Sequence, residues 1–293
     1  MKKLIIVTGI IMLASCATVK QQSAPAGGLP GGEVMTQAGP GAGEDQDQLI
    51  LATLWYQKSA EMRALFYQCF RNAEIALKEN LELREQDRVM TAVAAGTADP
   101  VNFRRPAVVL DIDETLLDNS PFQGWQVLEK KPFNNGDWYR WVELARARPL
   151  PGAVEFTRYA DSIGVEVFYV SNRTVQEMGP TIQNMTEWNF ANADSTHMLL
   201  KETSSSKVGR RATLEKNYEI ILLVGDNLAD LGGNYEKRGA DYGFGAVDAD
   251  RDLFGTKYII LPNPMYGNWL NDLLRSAPGS TEREKLVRLL ETF

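Results

Sequence analysis

Apolar residues recur every three or four positions over residues 47–85, a spacing typical of an amphipathic helix or of two consecutive helices. The apolar stripe comprises Leu51, Trp55, Met62, Phe66, Cys69, Ala73 and Leu77. A capping Asp45 or Asp47 marks its start, since a short carboxylate accepts hydrogen bonds from the first free amides of a helix. Because Cys69 lies on the stripe, we expect its thiol to be buried and unreactive.

Beyond residue 100 the pattern changes to short apolar runs that alternate with helical patterns. The runs occupy residues 107–111, 165–171, 197–200, 220–224 and 258–261. The helical patterns occupy residues 152–163, 175–189, 205–218 and 227–238. Strands that form continuous apolar runs are buried on both faces, which is typical of a parallel sheet. The alternation therefore predicts an α/β fold, with an open and mainly parallel sheet that carries helices on both faces.

The first residues predict export. Two lysines precede an apolar stretch over residues 4–13, which is too short to span a bilayer of about 30 Å as a helix and fits a signal peptide. The stretch ends in the sequence LASC, which resembles the lipobox of bacterial lipoproteins. The resemblance implies that residues 1–15 are removed and that Cys16 is lipidated. The alternative is an ordinary secretory signal in which Cys16 occurs by chance.

A change in composition separates this segment from the rest of the chain. Residues 17–44 are rich in Gly, Pro and Ala and show no period, which is typical of a flexible linker. We therefore predict a tether over residues 16–45 and one globular domain over residues 46–293.

Composition and charge exclude several classes of function. The chain has 31 Lys and Arg residues against 38 Asp and Glu residues, and its formal net charge is −7. Nucleic-acid polymers and anionic membranes recruit basic surfaces, so neither is expected as an electrostatic partner. Two cysteines are too few for a disulfide framework or a thiolate zinc site. The single histidine, His197, excludes multi-histidine metal sites, and at the start of a predicted strand we expect it in the core.

Acidic residues follow two of the predicted strands. Asp111 ends the first run and is followed by Asp113 and Thr115, whereas Asp226 and Asp230 follow the fourth run. Ligands of open α/β sheets bind beyond the carboxyl ends of the strands. Several like charges there are costly without a cation, and oxygen ligands without His or Cys favour Mg²⁺. Taken singly, each group also fits an acidic turn or, at Asp226, a helix cap.

The other strand ends offer groups that bind an oxyanion. Ser171 and Asn172 end the second run with a hydroxyl and backbone N–H groups. Lys207 begins a helical pattern, where terminal amides favour phosphate, and Lys201 at the end of the third run is the competing lysine. A hydroxyl, a lysine and a divalent cation around a nucleophilic carboxylate describe a phosphoryl-transfer site.

In their order along the chain, these residues resemble the four motifs of the haloacid dehalogenase superfamily. The motifs are Asp111-x-Asp113-x-Thr115, Ser171, Lys207 and Gly225-Asp226-x-x-x-Asp230. The longer strings DIDETLLDNSPFQGW, YVSNR and VGDNLADLG, with the helix LATLWYQKSAEMRALFYQ, are similar to the lipoprotein e family of class C bacterial acid phosphatases. The resemblance runs over about residues 49–269. It implies a phosphatase domain with a Rossmann-like core over about residues 100–275 and a small helical cap from residues 46–95 and 117–150.

The resemblance also implies a role for each motif residue. Asp111 is the nucleophile that forms an aspartyl-phosphate, and Asp113 is the general acid and then the general base. Mg²⁺ is held by the carboxylates of Asp111 and Asp226 and by the backbone carbonyl of Asp113. The remaining motif residues are the phosphate-binding Ser171, Asn172 and Lys207 and the supporting Thr115 and Asp230. Because Asp113 must start protonated, we expect an acidic pH optimum.

Aromatic residues between the first two motifs suggest a cap over the site. From the residues alone, Trp138 and its neighbours favour core packing. The resemblance instead places Trp138 and Tyr266 in an aromatic pair that stacks on the base of nucleoside 5'-monophosphates. It thereby implies broad nucleotide use, nicotinamide mononucleotide included.

The resemblance as a whole implies a Mg²⁺-dependent acid phosphatase and 5'-nucleotidase that hydrolyses phosphomonoesters. Its lipid at Cys16 would anchor it outside the cytoplasm, at an outer membrane or the cell surface. One alternative is a non-catalytic surface lipoprotein that binds a ligand such as haem, for which His197 is the sole imidazole. Another is a phosphorylated receiver domain. The oligomeric state stays open, with a homodimer as one alternative.

Overall fold

The computed structural model describes residues 47–97 and 103–293. The predicted signal peptide over residues 1–15, the predicted lipidation site Cys16 and the predicted tether over residues 16–45 lie outside the described residues. Within the described ranges, no helix combines the length and the hydropathy that a membrane crossing requires.

The apolar stripe at the start of the described chain forms two consecutive helices, the second of the two predicted alternatives. Helix α1 spans Asp47–Lys58 and helix α2 spans Ala60–Ala95. They are separated by Ser59, whose hydroxyl accepts a hydrogen bond from the backbone N–H of Met62 at 3.0 Å and so caps α2. The second helix ends at Gly96, whose φ of 64° lies in the left-handed region that favours glycine.

The remaining elements alternate between strands and helices. The strands are β1 (Arg105–Leu110), β2 (Leu117–Asp118), β3 (Arg148–Pro149), β4 (Glu166–Thr174), β5 (Met198–Lys201), β6 (Tyr218–Gly225) and β7 (Tyr258–Ile260). The helices are α3 (Ser120–Glu129), α4 (Asn135–Glu143), α5 (Ala153–Ser162), α6 (Met178–Glu187), α7 (Val208–Leu214), α8 (Leu228–Leu231), α9 (Phe244–Ala249), α10 (Asn268–Ser276) and α11 (Glu282–Arg288). Short 3₁₀ turns cover Val175–Glu177, Gly233–Tyr235 and Arg251–Leu253.

The described strands build one parallel sheet in the order β5-β4-β1-β6-β7, beside a small antiparallel pair of β2 and β3. Successive side chains of a strand point to opposite faces. In β1, Val108 and Leu110 join one core cluster and Ala107 and Val109 join another. Residues of α5 and α6 complete the first cluster, and residues of α7 and α8 complete the second. The predicted α/β fold, with helices on both faces of an open parallel sheet, is confirmed.

Helix α2 lies against the sheet, whereas the sequence analysis assigned residues 46–95 to the cap. Phe66, Phe70 and Leu77 of α2 are buried in the same core cluster as Phe156 of α5. Burying a side chain of this size stabilises the fold by roughly 1.5–3 kcal/mol, so a long apolar stripe packs where the sheet offers a continuous apolar surface. The cap assignment of α2 is corrected accordingly.

Helices α3 and α4 fall within the predicted cap segment, residues 117–150. They share a small cluster of their own, in which Phe122, Trp138 and Val142 are buried. Asn134 caps α4 by accepting a hydrogen bond from the backbone N–H of Asp137 at 2.9 Å. The two helices therefore share a small packed interior, which Trp141 connects to the core around the sheet.

Two predicted helices are shorter than their patterns indicated. The pattern over residues 205–218 yields only α7, and the pattern over residues 227–238 yields only α8 and a 3₁₀ turn. Gly232 and Gly233 follow α8 directly, and a glycine lowers helix stability by about 1 kcal/mol relative to alanine. The prediction of one continuous helix over residues 227–238 was wrong for this reason.

Charged groups connect the strands at the amino-terminal edge of the sheet. Arg105, the first residue of β1, pairs with Glu166, the first residue of β4, at 2.5 Å and donates to the Tyr218 hydroxyl at 2.6 Å. His197 precedes β5, and its Nδ1 and Nε2 atoms lie 2.9 Å from Asp194 and 3.1 Å from Glu166. The histidine is half-buried between two carboxylates, so the expectation of a core histidine was wrong.

Cys69 is half-buried and packs against the main core cluster. Its Sγ atom lies 3.5 Å from the carbonyl oxygen of Ile260. Burial raises the pKa of the Cys69 thiol, which lowers its reactive thiolate fraction. The thiol is thus less buried than expected, while its environment still disfavours reaction.

Candidate active site

The acidic motifs that follow β1 and β6 meet at the carboxyl edge of the sheet. The backbone N–H of Asp111 donates to the carbonyl of Val224 in β6 at 3.0 Å, which fixes the end of one strand beside the other. One carboxylate oxygen from each of Asp111, Asp226 and Asp230 lies within 4.8 Å of the other two. The structure therefore brings both acidic motifs together, in the place that the strand order predicts.

Two neutral side chains support this acidic cluster. The Thr115 hydroxyl is buried and lies 3.4 Å from Asp111 Oδ2 and 3.4 Å from Asp226 Oδ1. The Asn263 amide donates to Asp226 Oδ2 at 2.8 Å. Thr115 was selected from the sequence as a supporting residue, whereas Asn263 was not, although it begins the segment that contains Tyr266.

Lys207 is the lysine that reaches the acidic cluster. Its ammonium contacts an oxygen of Asp111 and lies 2.7 Å from Asp230 Oδ1, and its side chain is almost fully buried. The competing Lys201 lines the same cavity but forms no ion pair within the described ranges. Between the two lysines, the geometry favours Lys207 as the partner of Asp111.

The electrostatics of the cluster follow from burying several like charges together. Burial raises the pKa of Asp226 well above its ordinary value, and the neighbouring Asp230 and Asp111 raise it further. Burial also raises the pKa of Asp111, against the opposing effect of Lys207. Burial acts to lower the pKa of Lys207, but Asp111 and Asp230 outweigh it and raise that pKa. One ammonium among three carboxylates leaves uncompensated negative charge, which a bound cation would neutralise.

The donor set fits a hard divalent cation. All three groups offer carboxylate oxygens, and oxygen ligands without nitrogen or sulfur suit Mg²⁺ rather than zinc or copper. Mg²⁺ commonly uses one or two carboxylates and completes its coordination with waters and substrate phosphate. In the ligand set implied by the sequence, Asp113 contributes its backbone carbonyl. Its carboxylate does not join the group, and Asp230 provides the third carboxylate instead.

The Asp113 carboxylate is held by two side chains that the sequence analysis missed. Arg173 donates to Asp113 Oδ1 from Nε at 3.0 Å and from Nη2 at 2.8 Å. Asn119 Nδ2 donates to the same oxygen at 2.8 Å. Burial acts to lower the pKa of Arg173, but Asp113 outweighs it and raises that pKa, so the guanidinium stays charged. Asn119 lies in the string DIDETLLDNSPFQGW and Arg173 in the string YVSNR. This position was the only sequence signal that pointed to the two residues.

Arg210 joins the end of β4 to the loop before Lys207. It donates to Asn172 Oδ1 at 2.6 Å, to the carbonyl of Ser171 and to the carbonyl of Ser206 at 3.3 Å. The Ser171 hydroxyl is itself buried and accepts a backbone N–H two residues further on. A single guanidinium thus fixes the two segments that carry the predicted phosphate-binding groups.

A cavity of about 590 Å³ opens over these groups. Asp111, Asp113 and Lys207 line it together with the aromatic side chains of Trp138 and Tyr266. Trp138 is buried and also packs edge-to-face on Phe122 with ring centroids 5.3 Å apart, so it contributes both to the small cluster between α3 and α4 and to the cavity wall. The Tyr266 hydroxyl is buried and has no hydrogen-bond partner among the described residues.

A parallel sheet that gathers aspartates and a lysine around a pocket at its carboxyl edge is the architecture of α/β enzymes that transfer phosphoryl groups. The family model of the haloacid dehalogenase superfamily, subfamily IIIB (acid phosphatase), matches residues 57–269. The chain belongs to this family. It is a phosphatase, and its substrates are small-molecule phosphates.

Solved structures and a curated relative agree with this assignment. The class C acid phosphatase from Bacillus anthracis is 36% identical, with a TM-score of 0.71 over 84% of this chain and 98% of that chain. The structure of the class C acid phosphatase from that organism with tungstate bound is 34% identical, with a TM-score of 0.69 over the same shares. Acid phosphatase 1 of Solanum lycopersicum is 26% identical over 193 residues, which are 62% of this chain and 68% of that protein.

Proposed function

We propose that this acid phosphatase is Mg²⁺-dependent and hydrolyses phosphomonoesters through an aspartyl-phosphate at Asp111. Its substrates would include nucleoside 5'-monophosphates, nicotinamide mononucleotide among them. The observation that carries the proposal is the convergence of Asp111, Asp226 and Asp230, whose oxygens lie within 4.8 Å of one another beside the buried Lys207.

In the first step, a carboxylate oxygen of Asp111 attacks phosphorus and the ester P–O bond breaks. Asp113 donates its proton to the leaving oxygen, so the alcohol departs neutral. In the second step, Asp113 takes a proton from a water molecule whose oxygen attacks phosphorus. The bond between Asp111 and phosphorus then breaks, and inorganic phosphate leaves. Each step returns one carboxyl group to the state that the next step needs.

The phosphate-binding groups act by stabilising charge. Ser171, the backbone N–H of Asn172 and Lys207 would hold the phosphate oxygens, and fixed donors of this kind stabilise a transition state strongly where water is excluded. Tungstate is a tetrahedral oxyanion like phosphate, and its presence in the related B. anthracis structure supports an anion site in this family.

The residues that would hold Mg²⁺ are the carboxylates of Asp111 and Asp226, with the backbone carbonyl of Asp113. When bound, the ion would neutralise negative charge in the cluster and orient a phosphate oxygen. Asp230 then remains with Lys207, to which it lies 2.7 Å away, and keeps the ammonium directed at Asp111.

The aromatic wall supports nucleotides as substrates. Trp138 and Tyr266 line the same cavity as Asp111, which places a flat apolar surface within the pocket that contains the nucleophile. Stacking on a base is worth about 1–3 kcal/mol and tolerates any base, so it favours a broad range of nucleotides.

The non-catalytic alternative, a haem-binding lipoprotein, finds less support. Both ring nitrogens of His197 already face carboxylates, Asp194 on one side and Glu166 on the other. The ring also lies at the amino-terminal edge of the sheet, outside the cavity described above. A lipid at Cys16 remains part of the proposal as a membrane anchor and is independent of haem binding.

The test is phosphate release from 4-nitrophenyl phosphate and adenosine monophosphate, with Mg²⁺ and with a chelator. We expect release to stop in the chelator and in Asp111→Asn, since both the cation and the nucleophile are required. Asp113→Asn should lose about 100- to 10,000-fold in kcat, the usual contribution of general acid–base catalysis. Asp161→Asn, at an exposed position on α5, is the matched control. Full turnover in Asp111→Asn would refute the aspartyl-phosphate.

A further inference from the structure

Asn119 occupies the N-cap position of α3 without capping it. An asparagine at this position normally accepts a hydrogen bond from an amide of the first turn. The Asn119 side chain makes no such bond, and Asp118 Oδ1 instead accepts the N–H of Ser120 at 2.9 Å. Because the Asn119 side chain does not cap α3, its amide is available for hydrogen bonds to other residues.

Both ends of the Asn119 amide are committed to functional neighbours. Nδ2 donates to Asp113 Oδ1 at 2.8 Å, and Oδ1 accepts the indole N–H of Trp141 at 2.8 Å. The backbone N–H of Asn119 donates to the buried carboxyl of Glu114 at 2.8 Å, which fixes the residue from a third side. Asn119 is fully buried and does not line the cavity, so it acts on substrate only through Asp113.

Helix α4 reaches both side chains that hold Asp113. Trp141 reaches Asn119, and Trp138, three residues earlier, lies beside Arg173 with the guanidinium carbon 5.8 Å from its ring centroid. Residues three apart share one face of a helix. The helix that supplies the aromatic wall of the cavity therefore also contacts the two groups that orient the carboxylate of Asp113.

We propose that Asn119 and Trp141 are positioning residues that couple the placement of α4 to the orientation of Asp113. The inference rests on the proposed role of Asp113 as general acid. When α4 packs in place, the indole N–H of Trp141 fixes the Asn119 amide, and the amide holds Asp113 Oδ1. Because Oδ1 also accepts from Arg173, the proton for the leaving oxygen is carried by Oδ2. Helix α4 then links two events: the binding of a substrate against the aromatic wall and the delivery of the proton by Asp113.

The test uses leaving groups that differ in their need for a proton. 4-Nitrophenolate leaves readily without one, whereas phenolate is a poorer leaving group that needs protonation, and the two esters have similar rings to stack. Trp141→Phe keeps an aromatic ring at this position and removes the N–H, together with part of the indole's packing area. We expect it to lower kcat/KM about tenfold for phenyl phosphate and less than about threefold for 4-nitrophenyl phosphate, since general acid catalysis matters more for the poorer leaving group.

Two further variants separate this inference from the proposed function. Asp113→Asn should show the same discrimination more strongly, and in that background Trp141→Phe should add nothing, because the acid it positions is absent. Trp188→Phe is the matched control. It removes an indole N–H that donates to the carbonyl of Ala147 at 3.0 Å, outside the cavity, and should change neither ester.

Equal losses for both esters in Trp141→Phe, or no loss for either, overturn the positioning role. If Asp113→Asn still discriminates between the esters in that case, the proposed acid survives. If Asp113→Asn fails to discriminate, the assignment of Asp113 as acid is wrong, and the positioning role fails with it.

Discussion

At the scale of single residues, Asp230 reaches Lys207 because position 225 carries no side chain. A Cβ atom on Gly225 would lie 2.5 Å from the Asp230 Cβ and 2.5 Å from its Oδ2, closer than any real contact of this kind. The glycine is required for space and not for a left-handed backbone, since its φ lies outside that region. The approach of α8 to the end of β6 therefore depends on a missing methyl group.

Gly225→Ala should accordingly displace Asp230 and loosen its hold on Lys207. We expect kcat to fall at least about tenfold, and the free energy of unfolding to fall by about 1–3 kcal/mol, as overpacking of a buried site does. Steady-state kinetics and thermal unfolding measure the two effects. Gly179→Ala on α6 is the control, because its Cβ would meet nothing within 4 Å. Wild-type kcat in Gly225→Ala would show that Asp230 has no part in placing the lysine.

At the scale of elements, α4 contributes Trp138 to the cavity wall and packs against α3 through the small cluster that includes Phe122 and Val142. The same ring packs edge-to-face on Phe122 and also lines the cavity. The sequence alone favoured core packing for Trp138, and the structure shows that the ring is packed in this way and also lines the cavity.

Trp138→Ala should remove the stacking surface and leave the nucleophile in place. If stacking contributes about 1–3 kcal/mol, KM for nucleoside monophosphates should rise about 5- to 150-fold. The rise for a small aryl phosphate should be much smaller, because its ring offers less area. Trp125→Ala serves as the control, since Trp125 stacks on the same Phe122 but does not line the cavity. Equal rises for nucleotide and aryl phosphate would exclude stacking on the base.

The elements also show what could be predicted from the sequence. The strands were predictable because buried parallel strands form continuous apolar runs, and Asp111 and Asp226 were predictable because they directly follow two of them. The position of α2 was not, because an apolar stripe does not reveal which surface covers it. The role of Asn119 could not be predicted either, because hydrogen bonds from a buried amide to residues far apart in the chain leave no periodic pattern in the sequence.

At the scale of the whole molecule, the activity of the catalytic domain and the function of the predicted export segment must be tested separately. The family match covers residues 57–269, which excludes the lipobox-like sequence around Cys16. Attachment to a membrane therefore needs its own test, and the chain offers a matched pair of cysteines for it.

Cys16→Ser should move phosphatase activity from the membrane fraction to the soluble fraction of a bacterial host that processes lipoproteins. Without the thiol no diacylglyceryl group can be attached, and the anchoring contribution of about 0.8 kcal/mol per buried methylene is lost. Fractionation followed by an activity assay measures the change. Cys69→Ser should stay in the membrane fraction, and a Cys16→Ser variant that also stays there would contradict the anchor.

The carboxyl edge of the sheet carries the cavity, and the amino-terminal edge carries ion pairs that connect the strands. This separation has a practical consequence. Arg105, Glu166 and His197 connect the strands at the amino-terminal edge, and none of them lines the cavity. An enzyme immobilised on a support through that edge would keep its substrate entrance open to solution. The same edge could be redesigned for heat tolerance in an industrial catalyst without disturbing the groups that make and break the phosphate ester.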